Sequence, residues 1–166
     1  MLAVRPEQHE DVATIHAIHV ASFPTDAEAR LVNLLREAGK FTVSLVAEKD
    51  GVVVGHVAFS PVSAATGDTG AGLGPVAVLE SHRRRGIAAQ LIEEGLRACC
   101  SAGCGWAVVL GEPAYYSRFG YRAASTFGLS DEYRGGPAFQ VLELIPGRLP
   151  KGAGLVRYSP LFSSVQ

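Results

Sequence analysis

One short segment carries three consecutive arginines directly before a stretch with helical periodicity. Its residues are Arg83, Arg84, Arg85, Gly86, Ile87 and Ala88. The first backbone N–H groups of a helix have no partner within the helix and attract anions, and guanidinium groups match the oxygens of a phosphate. Gly86 and Ala88 are small enough to let a ligand approach the backbone. The segment therefore predicts a phosphate or pyrophosphate site.

Two kinds of nucleotide-binding loop do not fit this segment. It lacks the spaced glycines and the Lys-Ser/Thr pair of a P-loop, so it offers no hydroxyl for Mg²⁺. It also lacks the G-x-G-x-x-G of a dinucleotide-binding turn. A solvated surface turn is one alternative interpretation, and a protein that binds another phosphate ligand through residues 83–88 is a second.

A cluster of aromatic residues follows the next apolar run. It comprises Tyr115, Tyr116, Phe119 and Tyr121. A phenol titrates near ~10 and a thiol near ~8.5, so a phenolic donor can stabilise a departing thiolate. The alternative role is plain packing at the end of a helix, which is common for aromatic side chains.

Residues 73–92 resemble motif A of the GNAT superfamily of acyl-CoA N-acyltransferases. The loop of that motif has the pattern Q/R-x-x-G-x-G/A, and Arg83, Gly86 and Ala88 occupy its three specified positions. Tyr116, four residues before the Gly120-Tyr121 pair, is similar to a later signature of the family. The resemblance extends over residues 5–121 in the order of elements and is specific at these two motifs.

The resemblance implies acetyl-CoA as the acyl donor and a primary amine, on a small molecule or a protein, as the acceptor. The loop would bind the pyrophosphate of coenzyme A, and the strand before it would bind the pantetheine. The residues expected to bind the cofactor are Val76, Ala77, Val78, Arg83, Arg84, Arg85, Gly86, Ile87 and Ala88. No metal is expected. Because many relatives pair as dimers, a homodimer is one expectation.

The resemblance also implies direct transfer through a tetrahedral intermediate. Tyr116 would protonate the leaving thiolate, and backbone N–H groups near Val78 would stabilise the oxyanion. An amine with a reference pKa near ~10.4 must lose a proton before it attacks, so a base is required. Glu80, directly after the cofactor strand, is the first candidate, and Glu28 is the second. Their competing roles are a solvated loop charge for Glu80 and a capping box with Thr25 for Glu28.

Two departures from the family pattern concern the cofactor cleft. Glu80 stands where many relatives carry a proline, and residues 110–113 lack an asparagine that contacts the cofactor in many relatives. A module that binds or senses coenzyme A without turnover is therefore kept as an alternative function. Tyr116 argues against it.

Composition predicts an ordinary globular protein. The chain has 166 residues, of which 48% are apolar, and a formal net charge of -1. We therefore expect one domain over residues 1–166, with no global field for nucleic acid or an anionic membrane, and the resemblance implies that it is an N-acetyltransferase domain. Cys99, Cys100 and Cys104 lie in one segment, which favours a reducing compartment. No apolar run approaches ~18 residues and residues 1–8 lack a signal-peptide core, so we expect a cytoplasmic protein.

Periodicity predicts the elements that position these residues. Helices are expected at residues 7–22, 26–38, 86–102 and 113–119, and strands at residues 41–48, 52–60, 73–79, 106–110, 139–144 and 155–158. Asp50-Gly51 predicts a tight hairpin turn, and His56 is expected to be packed within its strand. The resemblance implies an α/β (α+β) GNAT-like fold, in which a mixed, mostly antiparallel sheet is flanked by helices and splays at its middle.

Overall fold

The computed structural model describes residues 1–165 as nine strands and five helices joined by turns and short 3-10 helices. The strands are β1 (Leu2–Pro6), β2 (Val43–Lys49), β3 (Val52–Ala64), β4 (Thr69–Val78), β5 (Trp106–Leu110), β6 (Arg122–Ala123), β7 (Leu129–Asp131), β8 (Phe139–Glu143) and β9 (Gly154–Arg157). The helices are α1 (Val12–Ser22), α2 (Ala27–Glu37), α3 (Ile87–Ser101), α4 (Pro113–Tyr116) and α5 (Leu161–Ser164). Gln166, the last residue of the expected domain, lies outside the described residues.

The predicted helices and strands all occur, with ends that differ by a few residues. The first predicted helix divides into a 3-10 turn at His9–Asp11 and α1, and the fourth divides into α4 and a 3-10 turn at Ser117–Phe119. The elements β1, β6, β7 and α5 were not predicted. No helix within residues 1–165 is long and apolar enough to cross a membrane.

The sheet is mixed and mostly antiparallel, as expected. Its main path runs β1-β2-β3-β4-β5-β8-β6, while β9 pairs with both β3 and β7. The pairs β4–β5 and β7–β9 are parallel. The β2–β3 hairpin turns at Asp50 and Gly51, whose φ angles of 51° and 82° suit a tight turn that matches the twist of the strands.

The sheet splits between its two central strands. β4 and β5 pair from Ala71–Ala107 to Leu73–Val109 and then separate, while β4 continues alongside β3 to Val78. At the point of separation, Gly74 and Pro75 form a bulge in β4, where the register against β3 shifts. Gly74 has a φ of 148°, which favours glycine, and Pro75 has no N–H to give to a ladder. This local chemistry ends the β4–β5 pairing and opens a cleft.

Helices cover both faces of the sheet. α3 packs on one face through an apolar stripe that includes Leu91 and Ile92, and Gly95 lies so close to Phe59 that a Cβ there would overlap its ring. α1 packs on the other face through Ile15 and Ile18. The close approach of α3 fixes the start of that helix beside the end of β4.

A network of polar side chains lies between α1, α2 and this second face. Both oxygens of Glu7 accept from Arg36, at 2.6 and 3.0 Å, and Ser44 also donates to Glu7. The Ser44 Oγ lies 2.8 Å from His56 Nε2, and His56 Nδ1 lies 2.8 Å from His19 Nε2. His56 is therefore packed and hydrogen-bonded, as its place within β3 predicted.

Candidate functional site

The start of α3 presents unpaired backbone donors. Gln90 makes the first hydrogen bond back to Gly86, at 3.0 Å, so the N–H groups of Ile87, Ala88 and Ala89 precede the helical ladder. No side chain of the described residues caps this helix. Gly86 has a φ of 78°, and nothing lies within 4 Å of where a Cβ would point. The helix start is thus open to a ligand and favours negative charge.

A cavity of about 410 Å³, here called the loop cavity, lies over this helix start. Its lining includes Arg83, Arg84, Gly86, Ala88, Tyr115 and Arg118. Arg84 completes the turn into α3 with a φ of 64°. Arg85 is exposed and does not line this cavity. The arginines around the cavity and the helix dipole give it the charge that a pyrophosphate requires.

Arg83 connects the loop to the strand and to α1. Its Nε donates to the carbonyl oxygen of Val78 at 2.8 Å, and its Nη2 donates to the Ser22 hydroxyl at 3.3 Å. The guanidinium therefore holds the end of β4 in place while it still borders the loop cavity. This second, positioning contact was not predicted from the sequence.

The open edge of β4 carries free backbone groups. Leu79 donates to the carbonyl oxygen of Val54, and β3 and β4 stay in register through Ala77–His56. Antiparallel strands alternate between residues that bond across the ladder and residues that face away. The N–H groups of Val76 and Val78 therefore face the cleft, whereas the backbone N–H and carbonyl groups of Ala77 face β3.

A second cavity, the strand cavity, continues from the loop cavity along this edge. It has a volume of about 250 Å³, and its lining includes Phe23, Val76, Ala77, Val78, Ala88 and Tyr115. The two cavities share Val78, Arg83, Ala88 and Tyr115. Together they form one groove from the start of α3 along the free edge of β4.

Tyr115 lines this groove, whereas Tyr116 lines neither of its two cavities. Tyr115 lines both cavities, and the guanidinium of Arg118 lies 4.4 Å from the centre of its ring. Tyr116 packs at the end of β5, where a Cβ on Gly111 would overlap its ring. Burial raises the pKa of Tyr116 to about 12, so this phenol stays protonated near neutral pH. The sequence motif indicated Tyr116 as a site residue and gave no signal that Tyr115, on another side of the helix, lines the groove.

A third and larger cavity, the aromatic pocket, lies at the split on the side of α2. It has a volume of about 550 Å³ and is bordered on β4 by Leu73, Gly74 and Pro75. Its other lining residues include Glu28, Leu31, Tyr133, Tyr158 and Phe162. The groove and the aromatic pocket thus meet adjacent stretches of β4, residues 76–78 and 73–75.

Glu28 reaches this pocket with an unsatisfied carboxylate. The capping box expected between Thr25 and Glu28 is wrong, because the Thr25 hydroxyl accepts from Ala27 N–H at 3.2 Å instead. The Oε1 of Glu28 is buried and has no hydrogen-bond partner among the described residues. The same holds for the Tyr158 hydroxyl. Buried polar atoms are seldom left without a partner, so both atoms mark a place for a ligand or water.

The other predicted acid, Glu80, is not brought to the cleft. It lies exposed in the 3-10 turn Glu80–His82 and lines neither part of the groove nor the aromatic pocket. Within residues 1–165, no group of three or more His, Cys, Asp or Glu side chains is arranged to hold a metal. Of the predicted acids, Glu28 alone borders a cavity of this site.

Comparison with known families identifies the same part of the chain. The model of the acetyltransferase (GNAT) family matches residues 12–121. The uncharacterized N-acetyltransferase YhbS of Escherichia coli K12 is 42% identical over 165 residues, which cover 98% of this chain and 99% of that protein.

Solved structures resemble the chain over nearly its whole length. The crystal structure of the E. coli GNAT family N-acetyltransferase YhbS in complex with CoA has a TM-score of 0.93 at 42% identity and covers 98% of this chain and 92% of that one. A GNAT family acetyltransferase from Brucella melitensis in complex with acetyl-CoA has a TM-score of 0.81 at 38% identity and covers 98% of both chains.

Proposed function

Since the chain belongs to the acetyltransferase (GNAT) family and is an N-acetyltransferase, we propose that it transfers an acetyl group from acetyl-CoA to a primary amine bound in the aromatic pocket. One observation carries this proposal. The free edge of β4 joins a groove that begins at the open start of α3 to a pocket with an unpartnered carboxylate.

The groove has the chemistry that coenzyme A requires. The pyrophosphate would accept from the free N–H groups at the start of α3, with Arg84 and Arg118 supplying positive charge. The pantetheine arm would lie in the strand cavity and bond to the backbone of Val76. We retain Val76, Val78, Arg83, Arg84 and residues 86–88 as cofactor-binding residues, whereas Arg85 lies exposed outside the cavity. Ala77 contributes its side chain alone, because its backbone groups face β3.

The thioester supplies an activated carbonyl carbon, and the chain supplies donors for its oxygen. The N–H groups of Val76 and Val78 face the cleft and are fixed by the β3–β4 ladder. Such preorganised donors stabilise negative charge as it develops on the oxygen during attack by the amine. Arg83 strengthens this arrangement because it anchors the Val78 carbonyl at 2.8 Å.

We assign the proton transfers to Glu28 and Tyr116. Glu28 accepts a proton from the bound ammonium, and the neutral amine then forms the new C–N bond of a tetrahedral intermediate, whose nitrogen loses its second proton to solvent. The C–S bond breaks, and Tyr116 gives its proton to the departing thiolate before it recovers one from solvent. Tyr116 is preferred to Tyr115 because it packs on Gly111, two residues beyond the last β4–β5 pair and thus beside the split. Glu28 is preferred to Glu80 because it borders the pocket.

A thiol-release assay tests the proposed function. The purified protein is incubated with acetyl-CoA and a panel of primary amines, and free thiol is measured together with acetylated amine by mass spectrometry. We expect release of thiol that depends on the amine and equals the acetylated product. Binding of acetyl-CoA without transfer to any amine would instead support a module that senses coenzyme A.

A further inference from the structure

The aromatic pocket has a charge pattern that selects among amines. Among the described residues that line it, Glu28 is the one with a charged side chain, and no Lys, Arg or His lines it. The nearby Arg30 does not line the pocket, and its guanidinium is already engaged, because its Nε pairs with Asp26 at 3.0 Å and its Nη2 donates to the carbonyl oxygen of Val165 at 3.4 Å. A ligand with one positive charge would be balanced by Glu28, whereas a ligand carboxylate or phosphate would find no cation.

Three rings form one wall of this pocket. The Tyr133 and Tyr158 ring centres are 6.0 Å apart, and those of Tyr158 and Phe162 are 5.1 Å apart. Burial raises the pKa of Tyr133 and of Tyr158, so both phenols stay neutral and add no second negative charge. Aromatic faces attract an ammonium group and also pack against apolar groups.

The rest of the pocket is apolar. The lining is completed by Ala27 and Leu31 of α2, Leu73, Gly74 and Pro75 of β4, Leu110 at the end of β5, and Val165. A volume of about 550 Å³ lies within the range of ~300–1,000 Å³ that small-molecule sites occupy. A second ammonium group on the ligand would have to lie against this apolar lining without a counter-charge.

We propose that the acceptor is a primary amine with a single positive charge on an apolar, ring-sized body that carries no carboxylate or phosphate. This proposal rests on the proposed function for its reaction and on the lining of the pocket for its selectivity. The unpartnered Oε1 of Glu28 accepts from the ammonium, and the buried Tyr158 hydroxyl offers a further polar contact. The three rings and the leucines enclose the apolar body.

The test compares four probes of the wild-type protein. These are 2-phenylethylamine, phenylalanine, spermidine and the uncharged 2-phenylethanol. Binding is measured by calorimetry and, for the three amines, transfer is measured by thiol release with acetyl-CoA. We expect 2-phenylethylamine to bind at least tenfold more tightly than each of the others and to give the highest kcat/KM. A preference for spermidine or phenylalanine, or no binding of 2-phenylethylamine, would overturn the proposed acceptor class.

Two variants of α5 locate the binding. Phe162→Ala removes a ring of the pocket and should raise the KM for 2-phenylethylamine about tenfold while the KM for acetyl-CoA stays the same. The control change Ser163→Ala truncates the adjacent residue, which is exposed and does not line the pocket, and should leave both values unchanged. Equal effects of the two variants would overturn the assignment of the pocket.

The binding and transfer measurements test the acceptor class and the acetyl-transfer reaction separately. Tight binding of 2-phenylethylamine without acetyl transfer would support the pocket assignment and reject the enzymatic reaction there. Transfer to spermidine or phenylalanine in preference would support the reaction and reject the acceptor class.

Discussion

Two partly buried carboxylates lie at the two ends of α2, and they differ in whether their oxygens have hydrogen-bond partners. At its C-terminal end, Arg36 donates to both oxygens of Glu7, and Ser44 donates to one of them. At its N-terminal end, Glu28 faces the aromatic pocket with a buried Oε1 that has no partner among the described residues. The Glu7 carboxylate is satisfied and rigidifies the fold, although the Nδ1 of His19 in the same network has no partner, whereas the unsatisfied Glu28 carboxylate borders a cavity that can admit a ligand. We infer that Glu7 serves the fold and Glu28 serves the chemistry.

The pKa values of the groups around Glu7 agree with a structural role for that carboxylate. Burial alone would raise the pKa of Glu7, but the nearby His56 ring and hydrogen bonds from Arg36 and Ser44 outweigh it and lower that pKa. Burial lowers the pKa of His19 to about 3 and also lowers that of His56. The network beneath α1 is therefore an ion pair of Glu7 and Arg36 with neutral histidines near neutral pH. It has no free acid for the transfer of a proton to substrate.

The largest expected effect comes from Glu28→Gln, which keeps the shape of the side chain and removes its charge. Because both proton removal and ammonium binding are lost, we expect kcat/KM for 2-phenylethylamine to fall by about 10²-fold or more. The free energy of unfolding should change by no more than about 0.5 kcal/mol. Thiol release and urea unfolding measure the two quantities. Full activity would remove Glu28 from the chemistry and leave Glu80 as the remaining predicted acid.

The matched change Glu7→Gln should give the opposite result. It leaves Arg36 without its charged partner, and because the two side chains are 20% and 15% exposed, removal of one member of this ion pair costs about 2 kcal/mol. We expect that loss in urea unfolding, while the KM for acetyl-CoA stays unchanged. The control Glu10→Gln alters an exposed acid nearby and should have no measurable effect. Stability equal to that of the control would show that the network does not support the fold.

The low pKa of buried His19 predicts how the free energy of unfolding depends on pH. The unfolded state takes up a proton on His19 near pH 6.5, whereas the folded state does so near pH 3, so stability falls as pH falls through this window. Between pH 7 and pH 5 the expected loss is about 2 kcal/mol in the free energy of unfolding. His19→Gln should reduce that slope. An equal slope in the variant would show that His19 ionises in the folded state.

A smaller effect is expected for Tyr116→Phe. A thiolate is a good leaving group, so we expect kcat to fall only about tenfold, or ~1.4 kcal/mol, without a change in the KM for acetyl-CoA. Stopped-flow or steady-state thiol release measures this loss. If Tyr115→Phe lowers kcat and Tyr116→Phe does not, the proton donor is the phenol that lines the groove.

Local sequence predicted most of the elements around the site. The stripe of α3, the Asp50-Gly51 turn and the buried run of β5 depend on neighbouring residues, so periodicity and turn chemistry were enough to identify them. The strands β6 and β7 have two and three residues, too few for a period to appear. β9 pairs with β3 although the two strands lie far apart in the sequence, and a contact between distant segments leaves no local sequence pattern.

The site was predicted in part for the same reason. The helix start at Gly86 is a local feature, and the sequence motif placed it correctly at the beginning of α3. The aromatic pocket brings together α2, the end of β5 and the late residues Tyr158 and Phe162, which only the tertiary fold makes neighbours. The Thr25–Glu28 spacing was misleading, because a hydroxyl can accept from the N–H two residues ahead as readily as from that three ahead.

Calorimetric titration shows whether the start of α3 and the free edge of β4 bind acetyl-CoA. The wild-type protein and Gly86→Glu are each titrated with acetyl-CoA, and ATP and NADH serve as controls. We expect selective binding of acetyl-CoA to the wild type and its loss in Gly86→Glu, which places a negative side chain in the open loop cavity while the protein remains folded by circular dichroism. If Gly86→Glu binds acetyl-CoA with unchanged affinity, or if the wild type prefers ATP, acetyl-CoA does not bind at the start of α3 as proposed.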